Sequence, residues 1–182
     1  MNDAAPMSAG AQAAGPAWPA ELYEALREAG VRHASYVPDA GHAELIRRFQ
    51  SDPEAVEVML STEEEGVALA CGAWLGGMRS VVLMQSSGVG NCINMLSLPA
   101  QARMPLLMIV TMRGEWGEFN PWQVPMSQAV QPSLEAMGVR VVRVESAADV
   151  APTVAQAAAM AFGGDQRIAV LLSQRLLGAK AW

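Results

Sequence analysis

Three consecutive glutamates, Glu63, Glu64 and Glu65, begin an apolar segment that continues to Trp74. A carboxyl group in an apolar pocket can share a proton with a bound ligand and so take part in general acid–base chemistry. The same residues could instead serve only to complement the helix dipole, whose positive end lies at the first turn of a helix. The segment therefore indicates either an acid–base group or an ordinary acidic helix start.

The neighbouring residues separate the three glutamates only in part. Thr62 and Glu65 have the spacing of a capping box, which gives Glu65 a structural role, and Glu64 could pair with Ser61 in the same way. Glu63 shares a helical stripe with three apolar residues, Val67, Ala70 and Trp74. Because the whole segment is apolar, periodicity alone does not choose among the glutamates. For the same reason we expect this helix to be buried on most of its sides.

A second polar stretch, from Gln85 to Asn91, follows the apolar residues 81–84 and contains the sequence SSGVGN. Its amide, hydroxyl and glycine residues are candidates for contact with a cofactor, namely Gln85, Ser87, Gly88 and Asn91. A dinucleotide fingerprint is an alternative, but Ile93 stands where its third glycine should be. A tight strand-to-helix turn, whose Ser and Asn residues cap the helix, is a further alternative.

Three charged or titratable residues follow other predicted strands. Asp39 follows Val37-Pro38 and could cap a helix. His42 could bind an anion or shuttle a proton, or could occupy a solvated helix position. Arg113 could hold an anion through paired hydrogen bonds, or could be an ordinary surface arginine. We expect His42 and Arg113 to bind substrate, and the residues alone leave the structural alternatives open for all three.

The elements that position these residues alternate between strand and helix. We predict a three-layer α/β sandwich with a six-stranded, mainly parallel sheet and right-handed crossovers. The predicted strands are Val31–Val37, Ala55–Leu60, Arg79–Gln85, Pro105–Thr111, Val139–Val144 and Ile168–Ser173. In such a sheet ligands bind at the carboxyl ends of the strands. The candidate residues all follow strands at that edge.

Composition bounds the class of protein. The chain has 182 residues, 52% of them hydrophobic, and a net charge of -6 without any basic run, which argues against nucleic-acid binding. No apolar run reaches the length of ~20 residues that a membrane span needs. Two cysteines without metal-ligand spacing favour a reduced, cytoplasmic setting. We expect residues 1–17, rich in Ala, Gly and Pro, to be a disordered tail and 18–182 to form a single domain.

The order and spacing of these motifs resemble the pyrimidine-binding domain of thiamine diphosphate enzymes. The resemblance rests on Glu63, on Gly72 nine residues later, and on the strand that precedes SSGVGN. The "VPD" turn at Asp39 and the "RGEWGE" loop at Arg113 are similar to those of sulfopyruvate and phosphonopyruvate decarboxylases. The likeness extends over nearly the whole chain after residue 17. It selects Glu63 among the three glutamates, because Glu63 is in the family's register.

The resemblance implies a chemistry for these residues. Glu63 would bond N1′ of the cofactor's aminopyrimidine and favour the imino tautomer, which removes the C2 proton of the thiazolium. The activated cofactor would then attack a small anionic 2-oxo acid and accept the electrons that CO₂ leaves behind. Asp39 would lie over the reacting carbon, and His42 or Arg113 would hold the sulfonate or phosphonate.

The same resemblance implies a partner. In this family the diphosphate and its Mg²⁺ are held by a second domain, which carries Gly-Asp-Gly followed by an asparagine pair. This chain has Asp165 after two glycines but no asparagine beyond it, and we predict no metal ligands in it. We therefore expect an α subunit that forms homo-oligomers and works with a separate β subunit. A regulatory or scaffold homologue without chemistry is the alternative.

Overall fold

The computed structural model describes residues 17–178. The predicted disordered tail lies outside the described residues, apart from Ala17, which precedes the first helix. The strands are β1 (Val31–Tyr36), β2 (Val56–Met59), β3 (Arg79–Gln85), β4 (Leu106–Thr111), β5 (Arg140–Val144) and β6 (Arg167–Leu172). The helices are α1 (Trp18–Glu28), α2 (Ala43–Ser51), α3 (Glu63–Leu75), α4 (Ser86–Cys92), α5 (Ser97–Ala102), α6 (Gln123–Ala136), α7 (Val150–Gly164) and α8 (Gln174–Leu177).

All six strands form one parallel sheet in the order β2-β1-β3-β4-β6-β5. Helices cover both faces, which confirms the predicted three-layer α/β sandwich. The side chains of the central strands alternate between two cores. On β3, Val81 and Leu83 join the core of α1, α2 and α7, while Val82 and Met84 join the core of α3, α4 and α6. Both faces of the central strands are therefore buried, as the apolar strands indicated.

Helix α3 differs from the prediction in its exposure. Leu69 and Leu75 on this helix are 38% and 74% exposed, so it is not buried on most sides. Its contact with the sheet is confined to one close face, where Gly66 packs against β3. A Cβ on Gly66 would come within 2.7 Å of Val82 Cγ1. The apolar residues beyond that face remain uncovered in this chain.

The predicted glycine turn is also different in the structure. Strand β3 ends at Gln85, and Ser86 begins α4 directly, so Ser87 to Asn91 are helical. The single helix that the pattern predicts over residues 89–102 is instead two short helices, α4 and α5. Pro99 lies in the first turn of α5, where a missing N–H is tolerated, so it does not bend a longer helix. The sequence pattern predicts a helix over residues 126–137, and α6 starts three residues earlier, at Gln123. The short helix α8 was not predicted.

Candidate functional site

The carboxyl ends of four strands bring the candidate residues to one edge of the sheet. Asp39 follows β1, Glu63 follows β2, Gln85 ends β3, and Arg113 follows β4. The edge has two parts. One is the carboxylate of Glu63 with α4, and the other is a hydrogen-bonded group around Asp39 that continues to the loop of Arg113.

Glu63 is the first residue of α3, and its side chain lies against α4. The residue is only 8% exposed, and its Oε2 accepts a 2.8 Å hydrogen bond from Asn91 Nδ2. Gly88, one helical turn before Asn91, faces the same carboxylate. A Cβ on Gly88 would stand 2.3 Å from Glu63 Oε1, so only glycine leaves room for this arrangement. Burial, together with the charge of Glu63, raises the pKa of the adjacent Cys92 thiol to about 12.

The side chains of the other two glutamates, Glu64 and Glu65, lie in different surroundings. Glu65 accepts backbone hydrogen bonds from Ser61 and Thr62, at 2.9 and 3.5 Å. This is the capping role that its spacing predicted. Glu64 is exposed and does not receive the Ser61 bond, which goes to Glu65. Glu63 is thus the buried carboxylate of the three, although its chemical role stays a prediction.

Asp39 is the centre of a polar network that joins three strands. Its carboxylate accepts bonds from Gly41 N at 3.0 Å, Gln85 Nε2 at 2.9 Å and Thr111 Oγ1 at 2.7 Å. Gln85 in turn accepts a 3.0 Å bond from Ser87 Oγ. Asp39 also caps the 3₁₀ turn formed by residues 40–42, as its structural alternative required. Sequence reasoning missed Thr111, because the last residue of an apolar strand carries no signal that shows which neighbouring strand its side chain will meet.

His42 lies beneath this network and is 1% exposed. Its Nε2 is 3.2 Å from the carbonyl oxygen of Met84, so Nε2 carries a proton and donates it to that oxygen. Burial lowers the pKa of His42, and the raising effects of Asp39 and the Met84 carbonyl are smaller. The solvated helix position expected as its alternative is therefore wrong. A neutral imidazole also has no net charge with which to attract an anion.

Arg113 is paired within its own loop. Its Nε and Nη2 donate to the two carboxylate oxygens of Glu118 at 2.6 and 2.5 Å, and the guanidinium lies 5.7 Å from the centre of the Phe119 ring. The Arg113 bond, with backbone N–H donors, lowers the pKa of Glu118 to about 2. The two side chains are 9% and 4% exposed, so the surface-arginine alternative is wrong.

Gln174 anchors this loop from the end of β6. Its Oε1 accepts the N–H groups of Glu115 and Trp116, each at 2.9 Å, and its Nε2 donates to Glu118 at 3.0 Å. Sequence reasoning missed both Gln174 and Glu118. The repeated glutamates of "RGEWGE" were the signal that could have pointed to an internal partner for Arg113. Gln174 follows the last strand with no motif of its own.

A cavity of about 170 Å³ lies between the Asp39 network and the Arg113 loop. Its polar lining comes from Asp39, Thr111, Arg113 and Gln174. The lining offers hydrogen-bond donors and acceptors, which suits a small polar molecule. Within residues 17–178 there is no group of three His, Cys, Asp or Glu residues that could hold a metal ion. In the same range no helix has both the length and the apolar content needed to cross a membrane.

Comparison with known proteins gives a family and several relatives. The family described as thiamine pyrophosphate enzyme, N-terminal TPP binding domain, matches residues 20–123. Sulfopyruvate decarboxylase subunit alpha of Methanothermobacter thermautotrophicus is 32% identical over 152 residues, which are 83% of this chain and 92% of that protein. Phosphonopyruvate decarboxylase of Streptomyces viridochromogenes is 41% identical over 100 residues, 54% of this chain and 25% of that protein.

Solved structures with the same fold are more distant in sequence. A 2-oxoglutarate:ferredoxin oxidoreductase from Magnetococcus marinus has a TM-score of 0.72 at 16% identity, over 88% of this chain and 29% of that one. Benzoylformate decarboxylase from Polynucleobacter necessarius has a TM-score of 0.68 at 21% identity, over 88% of this chain and 30% of that one. At these identities the likeness shows the fold alone. This chain spans about a third of the length of each.

Proposed function

Because the chain belongs to the thiamine pyrophosphate enzyme family through the N-terminal TPP-binding domain, we propose that it is the α subunit of a thiamine diphosphate-dependent decarboxylase. The substrate is a small anionic 2-oxo acid, 3-sulfopyruvate in the first place, and the products are sulfoacetaldehyde and CO₂. The observation that carries the proposal is the buried Glu63 carboxylate, held by Asn91 against Gly88 at the carboxyl edge of the sheet.

The residues around Glu63 fit an aminopyrimidine. A protonated carboxyl group can give its proton to an unprotonated ring nitrogen and then, as a carboxylate, accept a hydrogen bond from the N–H that forms. The absence of a side chain at Gly88 leaves room for the Glu63 carboxylate at this place. When bound, thiamine diphosphate supplies the electron sink that lets a 2-oxo acid lose CO₂. The role that we assign to Glu63 is to hold and share the proton at N1′ of the pyrimidine ring.

Asp39, Gln85 and Ser87 have a different task in this proposal. Their hydrogen bonds to one another fix the polar edge between β1, β3 and β4, so they shape the pocket next to the cofactor. Asp39 already accepts three hydrogen bonds, including one from Thr111. A direct part in the chemistry therefore requires Asp39 to act from within this network, as a carboxylate with a fixed orientation.

Anion recognition is assigned to the cavity beside Arg113. The guanidinium uses Nε and Nη2 for Glu118, so the substrate's sulfonate would meet Nη1 or replace Glu118 as the partner. His42 is neutral and buried, so we assign it support of the Met84 carbonyl and, through it, the end of β3. Phosphonopyruvate is the second candidate substrate, supported by the relative that is 41% identical over 100 residues.

A separate β subunit completes the site in this proposal. It is supported by the relatives named as alpha subunits. That subunit would hold the diphosphate and Mg²⁺. The exposed apolar side chains of Leu69, Leu75 and Trp122 support association with the β subunit and with further copies of this chain. The cytoplasm is the location that we propose, supported by two cysteines that are both free thiols.

The test is the exchange of the cofactor's C2 hydrogen for deuterium in the complex of both subunits. Glu63→Gln keeps the size and hydrogen bonding of the side chain but removes the shared proton, so exchange should slow by roughly 10²- to 10⁴-fold. Glu65→Gln is the matched control, because Gln serves equally well in a capping box. The chain without its partner should bind cofactor and Mg²⁺ poorly in calorimetry. Normal exchange in Glu63→Gln would refute the catalytic proposal and favour the regulatory alternative.

A further inference from the structure

Two residues of α4 hold the Glu63 carboxylate from one side. Gly88 and Asn91 are three residues apart, so they lie on the same face of this helix. Gly88 makes room, since its missing Cβ would overlap Oε1, and Asn91 donates to Oε2 over 2.8 Å. The first residue of α3 is thus fixed by a helix that begins after a different strand.

We propose that Asn91 is a positioning residue that orients the Glu63 carboxylate toward the cofactor's aminopyrimidine and does not itself contact the cofactor. The inference rests on the proposed function of Glu63 and goes beyond it, because it assigns a task to a second side chain. It also replaces the direct cofactor contact that the sequence suggests for Asn91.

The chemistry of the pair supports this assignment. A carboxylate can only accept, so Asn91 must present its NH₂ group to Glu63, and a hydrogen bond to an ionised group is among the stronger ones. The donor fixes one oxygen, which restricts rotation of the carboxylate about its last single bond. A proton shared between two groups depends strongly on their distance and angle, so this restriction acts directly on the proposed chemistry.

The exposure of Asn91 separates this task from a role in stability. Asn91 is exposed, so its replacement opens no cavity in the core, and water can reach the oxygen of Glu63 that loses its donor. Replacing Asn91 should therefore leave the fold intact. Aspartate is the most informative replacement, since it has the shape of asparagine but no donor and it repels the Glu63 carboxylate.

The experiment measures cofactor affinity by calorimetry in the complex of both subunits, with two ligands. One is thiamine diphosphate, and the other is its analogue in which N1′ is replaced by C–H and cannot bond Glu63. Asn91→Asp and Asn91→Ala are compared with Asn94→Asp. This control introduces the same charge three residues later, at an exposed position whose side chain makes no hydrogen bond to Glu63 within residues 17–178. Light scattering and circular dichroism verify that each complex is assembled and folded.

We expect both Asn91 variants to weaken the binding of thiamine diphosphate by tenfold or more, and Asp to do so more than Ala. The affinity for the analogue without N1′ should stay within twofold of wild type. Asn94→Asp should leave the affinity for both ligands unchanged. Equal losses for both ligands would mean that Asn91 contacts the cofactor or supports the fold, and would overturn the inference. Unchanged affinity for both ligands would overturn it as well.

Glu63→Gln, measured with the same two ligands, distinguishes failure of this inference from failure of the proposed function. If Glu63→Gln binds both ligands as wild type does, Glu63 does not meet N1′ and both ideas fail together. If Glu63→Gln loses the preference for thiamine diphosphate over the analogue while the Asn91 variants retain it, the proposed function stands. In that case only the positioning role of Asn91 is refuted.

Discussion

Replacing Gly88 by alanine tests the site through its tightest contact. The new Cβ would lie 2.3 Å from Oε1 of Glu63 and 2.4 Å from its Cδ, distances that real Cβ atoms do not show. The atoms that it meets belong to the end of a flexible side chain, so the carboxylate can move while the backbone stays. We therefore expect Gly88→Ala to expel Glu63 from its position without unfolding the chain.

The magnitudes separate the two effects. Alanine within a helix is more favourable than glycine by about 0.8–1 kcal/mol. Loss of the hydrogen bond between Asn91 and the Glu63 carboxylate costs on the order of 1.5–3 kcal/mol. The free energy of unfolding should thus fall by roughly 0.5–2 kcal/mol, which a folded domain tolerates. The exchange of the cofactor's C2 hydrogen should fall by roughly 10²- to 10⁴-fold, as in Glu63→Gln.

The assay combines urea unfolding of the purified chain with C2 exchange in the assembled complex. Gly90→Ala is the matched control on the same helix, since its Cβ would meet only the thioether of Met126 at 3.1 Å, which can shift by a few tenths of an ångström. It should retain exchange within a few-fold of wild type. Exchange at the wild-type rate in Gly88→Ala, with the variant folded and assembled, would refute our account of how Glu63 is held. An equal loss in Gly90→Ala would show that any change in α4 suffices.

Two further predictions concern Arg113 and Glu118. In the assembled enzyme, Arg113→Ala should raise KM for the substrate by roughly 10- to 150-fold, because loss of a charged hydrogen bond costs about 1.5–3 kcal/mol. Cofactor affinity should stay nearly intact. A KM within twofold of wild type would mean that the anion binds elsewhere. Arg113 lowers the pKa of Glu118 from 4.5 to about 2, so the ion pair stabilises the fold above pH 4.5. This stabilisation amounts to at most about 3 kcal/mol and is lost as the pH falls toward 2. Urea unfolding of Glu118→Gln should show lower stability at pH 7 and a weaker pH dependence between 4.5 and 2, and an unchanged pH dependence would contradict the assignment.

The fold could be predicted from the sequence because its signals are local. Strands β3 and β4 are nearly uninterrupted apolar runs, and the capping residues of α3 mark where that helix begins. The alternation of strand and helix was enough to predict that the candidate residues lie at the carboxyl edge of the sheet. The start of α4 did not, because SSGVGN has the composition of a turn. Its glycine at position 88 is required by the Glu63 side chain, 25 residues earlier, and not by its own backbone angles.

The hydrogen-bond partners of the candidate residues were less predictable, because they are distant from them in the sequence. Asn91 meets Glu63 across 28 positions and Asp39 meets Thr111 across 72, so neither pair has a spacing that a motif could record. The exposure of Leu69 and Leu75 was missed because hydrophobic residues on every side of a helix indicate burial, without saying which molecule provides the cover. His42 was misjudged because the pattern predicts a regular helix over residues 40–49, whereas residues 40–42 form a 3₁₀ turn in which His42 is buried.

The hold of Gln174 on the Arg113 loop has a consequence for attempts to change the substrate. One side chain that is 1% exposed bonds the backbone of Glu115 and Trp116 and the carboxylate of Glu118. The loop after β4 and the segment after β6 are therefore one exchangeable unit, although they are almost 60 positions apart in the chain. A loop transplanted from a related decarboxylase would lack the hydrogen bonds that hold it in place unless the residue at position 174 were exchanged with it. Engineering libraries for this enzyme class should vary the two segments together.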